Sequence, residues 1–258
     1  MFSTTIKSGA SDKSYFGGKG QDGVYQAIIN EIPQCHDYWE IFAGNASIYR
    51  KLTQKPERCF LIEKNQKQAK RLAQNLELNK VYSLTDLQLY ILPTEEQGTW
   101  IVWASAFEIL EYIRKEAIDR EHTFIFCDPP YPLSTRSSNN RYKHELTDGQ
   151  HELLLTELLQ FENAQIGITT YPNALYEEKL TDWRKTIYSS VTRSGQVRTE
   201  HMYMNYEPPQ KLQDTYYIGK DYRERETLKK QQKNWAKNFA QMHKHQRQAI
   251  IEKLIKLL

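Results

Sequence analysis

Short apolar, β-branched runs alternate with stretches of helical spacing through most of this chain, and that alternation admits few folds. The runs are Tyr38–Phe42, Cys59–Glu63, Trp100–Ala104, Thr123–Cys127 and Gln165–Thr170. Between them, Ala46–Leu52, Lys67–Leu78, Phe107–Ala117 and His151–Leu159 have the spacing of helices. Ala69, Leu72 and Ala73 recur on one face of the second helix, and Leu154, Leu155, Leu158 and Leu159 on one face of the last. Strands that alternate with helices form a parallel sheet covered on both faces. Two more β-rich runs, Lys185–Thr192 and Arg198–Asn205, flank Ser194-Gly195-Gln196 and read as a hairpin. The expectation is an α/β fold with a doubly wound sheet of seven strands.

Pro208-Pro209 closes this pattern, which divides the chain into a sheet domain at 1–209 and an extension at 210–258. The extension holds twelve Lys/Arg against five Asp/Glu, so it carries +7 of a net charge of +3 and leaves the body at −4. Such a tail suits a polyanion, although a solvated helix surface has the same composition. Leu228, Trp235 and Phe239 are spaced as one helical stripe; Ala249, Ile250, Leu254, Leu257 and Leu258 suggest a second helix. A helical appendage packed on the body is expected. Cys35, Cys59 and Cys127 are scattered, with neither metal-ligand spacing nor an even count, which reads as core packing in a reducing cytosol. No metal site is expected. With no long apolar stretch and no signal-peptide pattern at Met1–Thr5, the expected location is cytoplasmic.

Three motifs carry chemistry. Asp128-Pro129-Pro130-Tyr131 follows the Thr123–Cys127 strand directly. The prolines fix φ and remove two donors, so their carbonyls are held rigidly. A carboxylate and a carbonyl can then accept both hydrogens of an exocyclic amino group, while a tyrosine ring stacks on the heterocycle. That is what methylation of a nucleobase amine requires; an ordinary Pro-Pro turn is the alternative. Glu40–Ser47 closes the first strand with a small-residue turn that opens a helix, the usual cofactor cradle of doubly wound sheets. Its single glycine makes it a poor dinucleotide fingerprint, and a tight βα turn is the other possibility. Glu63, about 20 residues on, is placed to accept ribose hydroxyls. Tyr15-Phe16-Gly17-Gly18-Lys19-Gly20 allows close backbone approach to a ligand, with Lys19 reaching an anion, or is a plain glycine turn. It is not a Walker loop, which needs glycine at Lys13 and Ser/Thr at Gly20. First and fourth strands are neighbours at the switch point of such a sheet, so the first two motifs would face each other across one crevice.

Taken in order, these motifs resemble the Dam-type adenine-specific DNA methyltransferases, in the compact form common in phages and prophages. The resemblance runs from Tyr15-Phe16-Gly17-Gly18-Lys19 through Phe42-Ala43-Gly44-Asn45-Ala46, Glu63 and Asp128-Pro129-Pro130-Tyr131. It continues in Thr135-Arg136, Arg141–Glu145 and His151–Leu154, and closes in Thr199-Glu200 and Met204–Pro209. It implies a class I, Rossmann-like methyltransferase sheet and S-adenosylmethionine as cofactor. Tyr15, Gly18, Lys19, Phe42, Ala43, Gly44, Asn45, Glu63 and Asp128 would then line the cofactor site. Asp128, Pro129, Pro130 and Tyr131 would hold a flipped adenine for transfer of the methyl group to N6. Two positions depart from the family: Ala46 stands where a further glycine is common, and Ser105-Ala106-Phe107-Glu108 where many members carry an Asp near the cofactor's adenine.

The polar stretch 132–145 is expected to recognise DNA, through Arg136, Asn140, Arg141, Tyr142, Lys143 and His144 beside the pocket. Lys229, Lys230 and Lys233 of the tail are expected on phosphates. No large insert separates Glu63 from Asp128, so recognition falls to this loop, to the segment Tyr171–Trp183, or to the tail. Asp at the head of the motif favours adenine over cytosine N4, and over protein glutamine. RNA adenine methylation is the nearest rival, and a DNA-binding protein that has lost turnover is a rival of another class.

Overall fold

In the computed structural model, residues 18–94, 96–115, 118, 120–136, 144–192 and 195–256 are described. They divide into two compact units, one ending at Asp214 and one starting at Thr215. Gln213 and Asp214 belong to the first because they are bonded into it. The Gln213 side chain accepts the Cys35 N–H at 3.1 Å, and Asp214 Oδ1 accepts the Thr53 hydroxyl at 3.0 Å.

The first unit is an α/β sheet of eight strands: β1 (Asp37–Ile41), β2 (Arg58–Ile62), β3 (Tyr82–Ser83), β4 (Gly98–Trp103), β5 (Thr123–Cys127), β6 (Gln165–Thr170), β7 (Arg184–Val191) and β8 (Val197–Met204). Their order is β3-β4-β2-β1-β5-β6-β8-β7. The first six positions of that order are parallel, and the β7–β8 hairpin joins β6 antiparallel. This is the expected doubly wound sheet of seven strands with one two-residue edge strand, β3, added. The helices are α1 (Val24–Ile29), α2 (Ser47–Lys51), α3 (Gln66–Asn75), α4 (Leu84–Asp86), α5 (Ala106–Lys115), α6 (Asp148–Leu158) and α7 (Ala174–Lys179), followed in the second unit by α8 (Tyr222–Gln241) and α9 (Lys244–Ile255).

Strands β1, β2 and β5 are buried along their whole length, as central strands of a sheet covered on both faces are, and β1 and β2 bury charged residues with their apolar ones. Across one face, the rings of Trp39, Phe60 and Trp100 stack at centroid distances of 4.0 and 5.2 Å. Leu154, Leu155 and Leu158 of α6 join the same core. The start of α6 is set by Thr147, which accepts the Gln150 N–H while Gln150 reaches back to Thr147.

At the amino ends of the strands, away from the site described below, Asp37 and Arg58 are both fully buried. Asp37 accepts bonds from Arg120 at 2.9 Å and lies 3.9 Å from Arg58 Nε. Removing one partner strands the other charge in the core. Asp37→Ala is therefore expected to cost about 3–5 kcal/mol in denaturant unfolding, with ligand binding per folded molecule unchanged. A loss under about 1 kcal/mol would show that the pair contributes little.

Both expected helices of the second unit form, and Asp221 caps α8 by accepting the Glu224 N–H at 2.9 Å. Leu257 and Leu258, expected at the end of the second helix, lie outside the described residues. Among the described residues, no helix is long and apolar enough to cross a membrane, and no cluster of His, Cys, Asp and Glu is placed to hold a metal ion.

Candidate active site

The register of the sheet brings the motifs together. Ile41 pairs with both Ile62 and Cys127, so Phe42, Glu63 and Asp128 leave β1, β2 and β5 at one level. Chain order reverses between β1 and β5, and a cleft opens there. Gly18, Lys19, Phe42, Ala43, Asn45, Glu63, Asp128, Pro129, Pro130 and His144, all singled out in the sequence, line that one cleft. Tyr15, Asn140, Arg141, Tyr142 and Lys143 lie outside the described residues.

The turn after β1 is strained and heavily pinned. Phe42, Gly44 and Ala46 have φ of 67°, 55° and 49°. Glycine adopts such values freely; a residue with a Cβ loses about 1–2 kcal/mol. A glycine at position 46 would adopt the φ of 49° without that loss. Ala43 N–H donates to Ile62 O at 2.8 Å, and Gly44 N–H to Glu63 Oε2 at 3.0 Å. Gln68 Nε2 donates to Gly44 O and to Asn45 Oδ1, both at 2.8 Å. Glu63 accepts the Asn65 N–H with its other oxygen at 2.7 Å, so it ties the ends of β1 and β2 together. Burial raises its pKa, against the pull of these two amides.

Glu40 lies buried beneath the turn. Its Oε2 accepts the Tyr38 hydroxyl at 2.8 Å and the Tyr49 N–H at 2.9 Å. Burial pushes it up to about 7 in spite of those bonds. Nothing in the sequence distinguished this acid except its place inside an apolar strand.

Asp128 is held by one oxygen. Its Oδ1 accepts the Thr169 hydroxyl at 2.7 Å and the Lys19 ammonium at 2.8 Å, and Oδ2 has no protein partner among the described residues. Burial raises its pKa, and Lys19 and Thr169 restrain the rise. The same ammonium lies 3.4 Å from Glu200 on β8 and 4.5 Å from the Tyr131 ring centroid. Lys19, expected on the cofactor, here bridges two carboxylates. Thr169 was missed altogether, because a threonine inside a β-rich run carries no distinguishing signal.

Tyr131, expected to offer a stacking face, is 6% exposed. Its hydroxyl donates to Glu200 at 2.6 Å, and the Tyr171 ring packs against it in a tilted edge contact at 4.6 Å. Arg136 also differs from expectation. Its guanidinium makes a two-pronged bond to Glu145, at 3.1 and 2.6 Å, and is largely buried, so it ties together the two ends of the loop. A bidentate carboxylate partner offers it the same fork geometry that a guanine edge would. In the segment Tyr171–Trp183, α7 is capped by Asn173, and Tyr176 is buried with its hydroxyl 3.0 Å from His151 Nδ1. Ser105 stands at the cleft where an Asp was looked for, and the nearby acid, Glu108, accepts its N–H at 2.8 Å.

No protein-family model and no curated protein matches the chain. Among solved structures, a SAM-dependent methyltransferase from Agrobacterium tumefaciens is similar at 10% identity and a TM-score of 0.42, over 71% of this chain and 59% of that one. A spermidine synthase from Thermotoga maritima is similar at 12% and 0.42, over 70% and 58%. An rRNA methylase from Streptococcus thermophilus is similar at 11% and 0.43, over 71% and 94%. The chain spans 48% to 59% of the length of the first structures it resembles. These likenesses concern the fold.

Proposed function

We propose that this chain transfers a methyl group from S-adenosylmethionine to N6 of an adenine flipped out of DNA. The observation that carries the proposal is the geometry of Asp128. Its carboxylate is fixed through Oδ1, and Oδ2 has no partner among the described residues, at the end of β5 beside the turn closed by Glu63.

The residues of the cleft suit that cofactor. Glu63 and Asp128 supply carboxylates, while Ile62, Phe107 and Leu146 supply apolar walls. A cationic ligand with a ribose and an adenine matches this combination. Gly18, Lys19, Phe42, Ala43, Gly44, Asn45 and Glu63 would hold it, Glu63 accepting from the ribose. When bound, S-adenosylmethionine supplies a methyl group on positively charged sulfur.

The chain's own part is to prepare the amine. The lone pair of an adenine amino group is delocalised into the ring, which makes it a poor nucleophile. Asp128 Oδ2 and the Pro129 carbonyl would accept its two hydrogens and favour the tetrahedral nitrogen, while Pro129 and Pro130 keep the acceptors rigid. This is stabilisation of developing positive charge plus alignment, and it requires no proton transfer before attack. Such a pocket is out of reach within a duplex, so the base must leave the stack. Tyr131 then serves first as a hydroxyl anchored to Glu200, and a base stacked on it would displace the Lys19 ammonium from its ring.

Incubation with isotopically labelled S-adenosylmethionine and matched DNA and RNA tests the substrate class. Label is expected in duplex DNA. Label in RNA alone would make the rival activity correct, and DNA binding without transfer would leave a binding protein on this fold.

On the second unit, Lys230 and Lys233 are exposed on α8, whereas Lys229 pairs with Glu226 at 3.2 Å and covers the Tyr216 ring at 4.1 Å. Contacts to phosphate carry no sequence information. Replacing Lys230 and Lys233 by Gln is expected to weaken binding equally for all DNA sequences and to flatten the log–log salt slope by about 2. Lys229→Gln should add little. A changed methylation sequence with an unchanged slope would place base recognition, not phosphate contact, on α8.

A further inference from the structure

The proposed chemistry leaves one buried ion unexplained. The Lys19 ammonium neutralises Asp128, the group that must stabilise a cation. Methylation forms an N–C bond from the amine lone pair, and the S–C pair stays on sulfur. The nitrogen becomes positive, then loses its surplus proton to Asp128 and onward to water. A second positive charge 2.8 Å from Asp128 opposes each of these events.

The structure supplies another seat for that charge. Glu200 Oε2 lies 3.4 Å from Lys19 Nζ, and both side chains are almost fully buried. Its oxygen is already aimed by the hydroxyls of Tyr131 at 2.6 Å and Tyr188 at 3.3 Å. Burial alone would raise its pKa, but the Lys19 charge and the hydroxyls of Ser190 and Tyr131 bring it below the usual range, so it remains an anion. The ammonium already lies between the two carboxylates, 2.8 Å from Asp128 and 3.4 Å from Glu200.

Resting on the methyl-transfer reading above, we infer that Glu200 is a positioning residue: it receives the Lys19 ammonium as the substrate amine gains charge and so frees Asp128 to pair with that amine. Among the described residues, Lys19 and Glu200 are the charged groups that act on Asp128, and Glu40 from β1, pushed up to about 7, is a partly charged one. Cys127, Tyr131, Tyr171, Tyr176 and Tyr188 also face it and are neutral near neutral pH.

The test is a double-mutant cycle of Lys19→Met and Glu200→Gln. It is read by kcat on duplex DNA and, without cofactor, by the titration of Asp128 in 13C-aspartate-labelled protein. Glu200→Gln removes a like charge, so Asp128 should titrate at lower pH. In spite of this greater ionisation, kcat should fall about tenfold, with affinity for cofactor and DNA held within about threefold. In the Lys19→Met background, adding Glu200→Gln should change kcat by less than about twofold, because Glu200 acts through the lysine. Additive losses would show that Glu200 merely anchors Tyr131, and an unmoved Asp128 titration would overturn the inference even if Lys19→Met turns over too slowly to measure. An inactive wild type would instead remove the methyl-transfer reading, and the inference with it.

Discussion

Asp128→Ala is expected to lower methyl transfer by at least about 10²–10³-fold while cofactor affinity changes less than about tenfold. The loss of one well-placed electrostatic contact at the reacting atom accounts for a factor of this order, and lost alignment adds to it. The asymmetry follows from the proposed roles: Asp128 would meet the amine, while Phe42, Ala43, Asn45 and Glu63, which line the same cleft, would meet the cofactor. The wild-type rate should also fall as the pH drops. Burial holds the Asp128 pKa above its ordinary value, and protonation removes the acceptor, so the acid limb should lie above the usual aspartate range. Single-turnover kinetics and calorimetric titration of the cofactor separate the two effects. Near-normal turnover in the mutant would remove Asp128 from the chemistry.

Glu63→Ala is expected to produce the opposite pattern. Its two oxygens satisfy the N–H groups of Gly44 and Asn65, at 3.0 and 2.7 Å. Hydrogen bonds to a charged group contribute about 1.5–3 kcal/mol each. Without them the strained turn at Phe42–Ala46 loses a main support, and the ribose acceptor is lost as well. Cofactor Kd should rise about a hundredfold, roughly 2.7 kcal/mol, while kcat at saturating cofactor stays within about fivefold. Glu63→Gln, which can satisfy only one of the two amides, should lie between. An unchanged Kd in the alanine variant would place the ribose elsewhere.

The parts of the site legible in the sequence are those whose chemistry shows in one short window. β5 has the bounds Thr123–Cys127 that its residues imply, because Pro129-Pro130 ends it. β6 likewise spans Gln165–Thr170. From the two ends of β1 and β5 alone, the crevice could be anticipated, since the switch point follows from chain order. The short elements could not. α1, β3, α4 and α7 have two to six residues, too few for a period to emerge, or are held by tertiary contact, as β3 is by pairing with β4. The buried acids were equally hidden. Glu40 and Glu200 sit in strands where period 2 allows either face, and burial decides their chemistry only once the sheet is packed. For the same reason Tyr131 was taken as open: its wall is made by Glu200, 69 positions on. Arg136 misled in the other direction, since its partner, Glu145, lies in the same polar loop and looked like one more solvated acid.

The central claim is that the group at Asp128 Oδ2 is the amino group of an adenine. Digestion of DNA methylated by the purified chain, followed by mass spectrometry of the nucleosides, tests this most directly. The account predicts that the transferred methyl group is found as N6-methyldeoxyadenosine, and that this product is lost with Asp128→Ala. Methyl label recovered as N4-methyldeoxycytidine, as 5-methyldeoxycytidine, or on protein would contradict it.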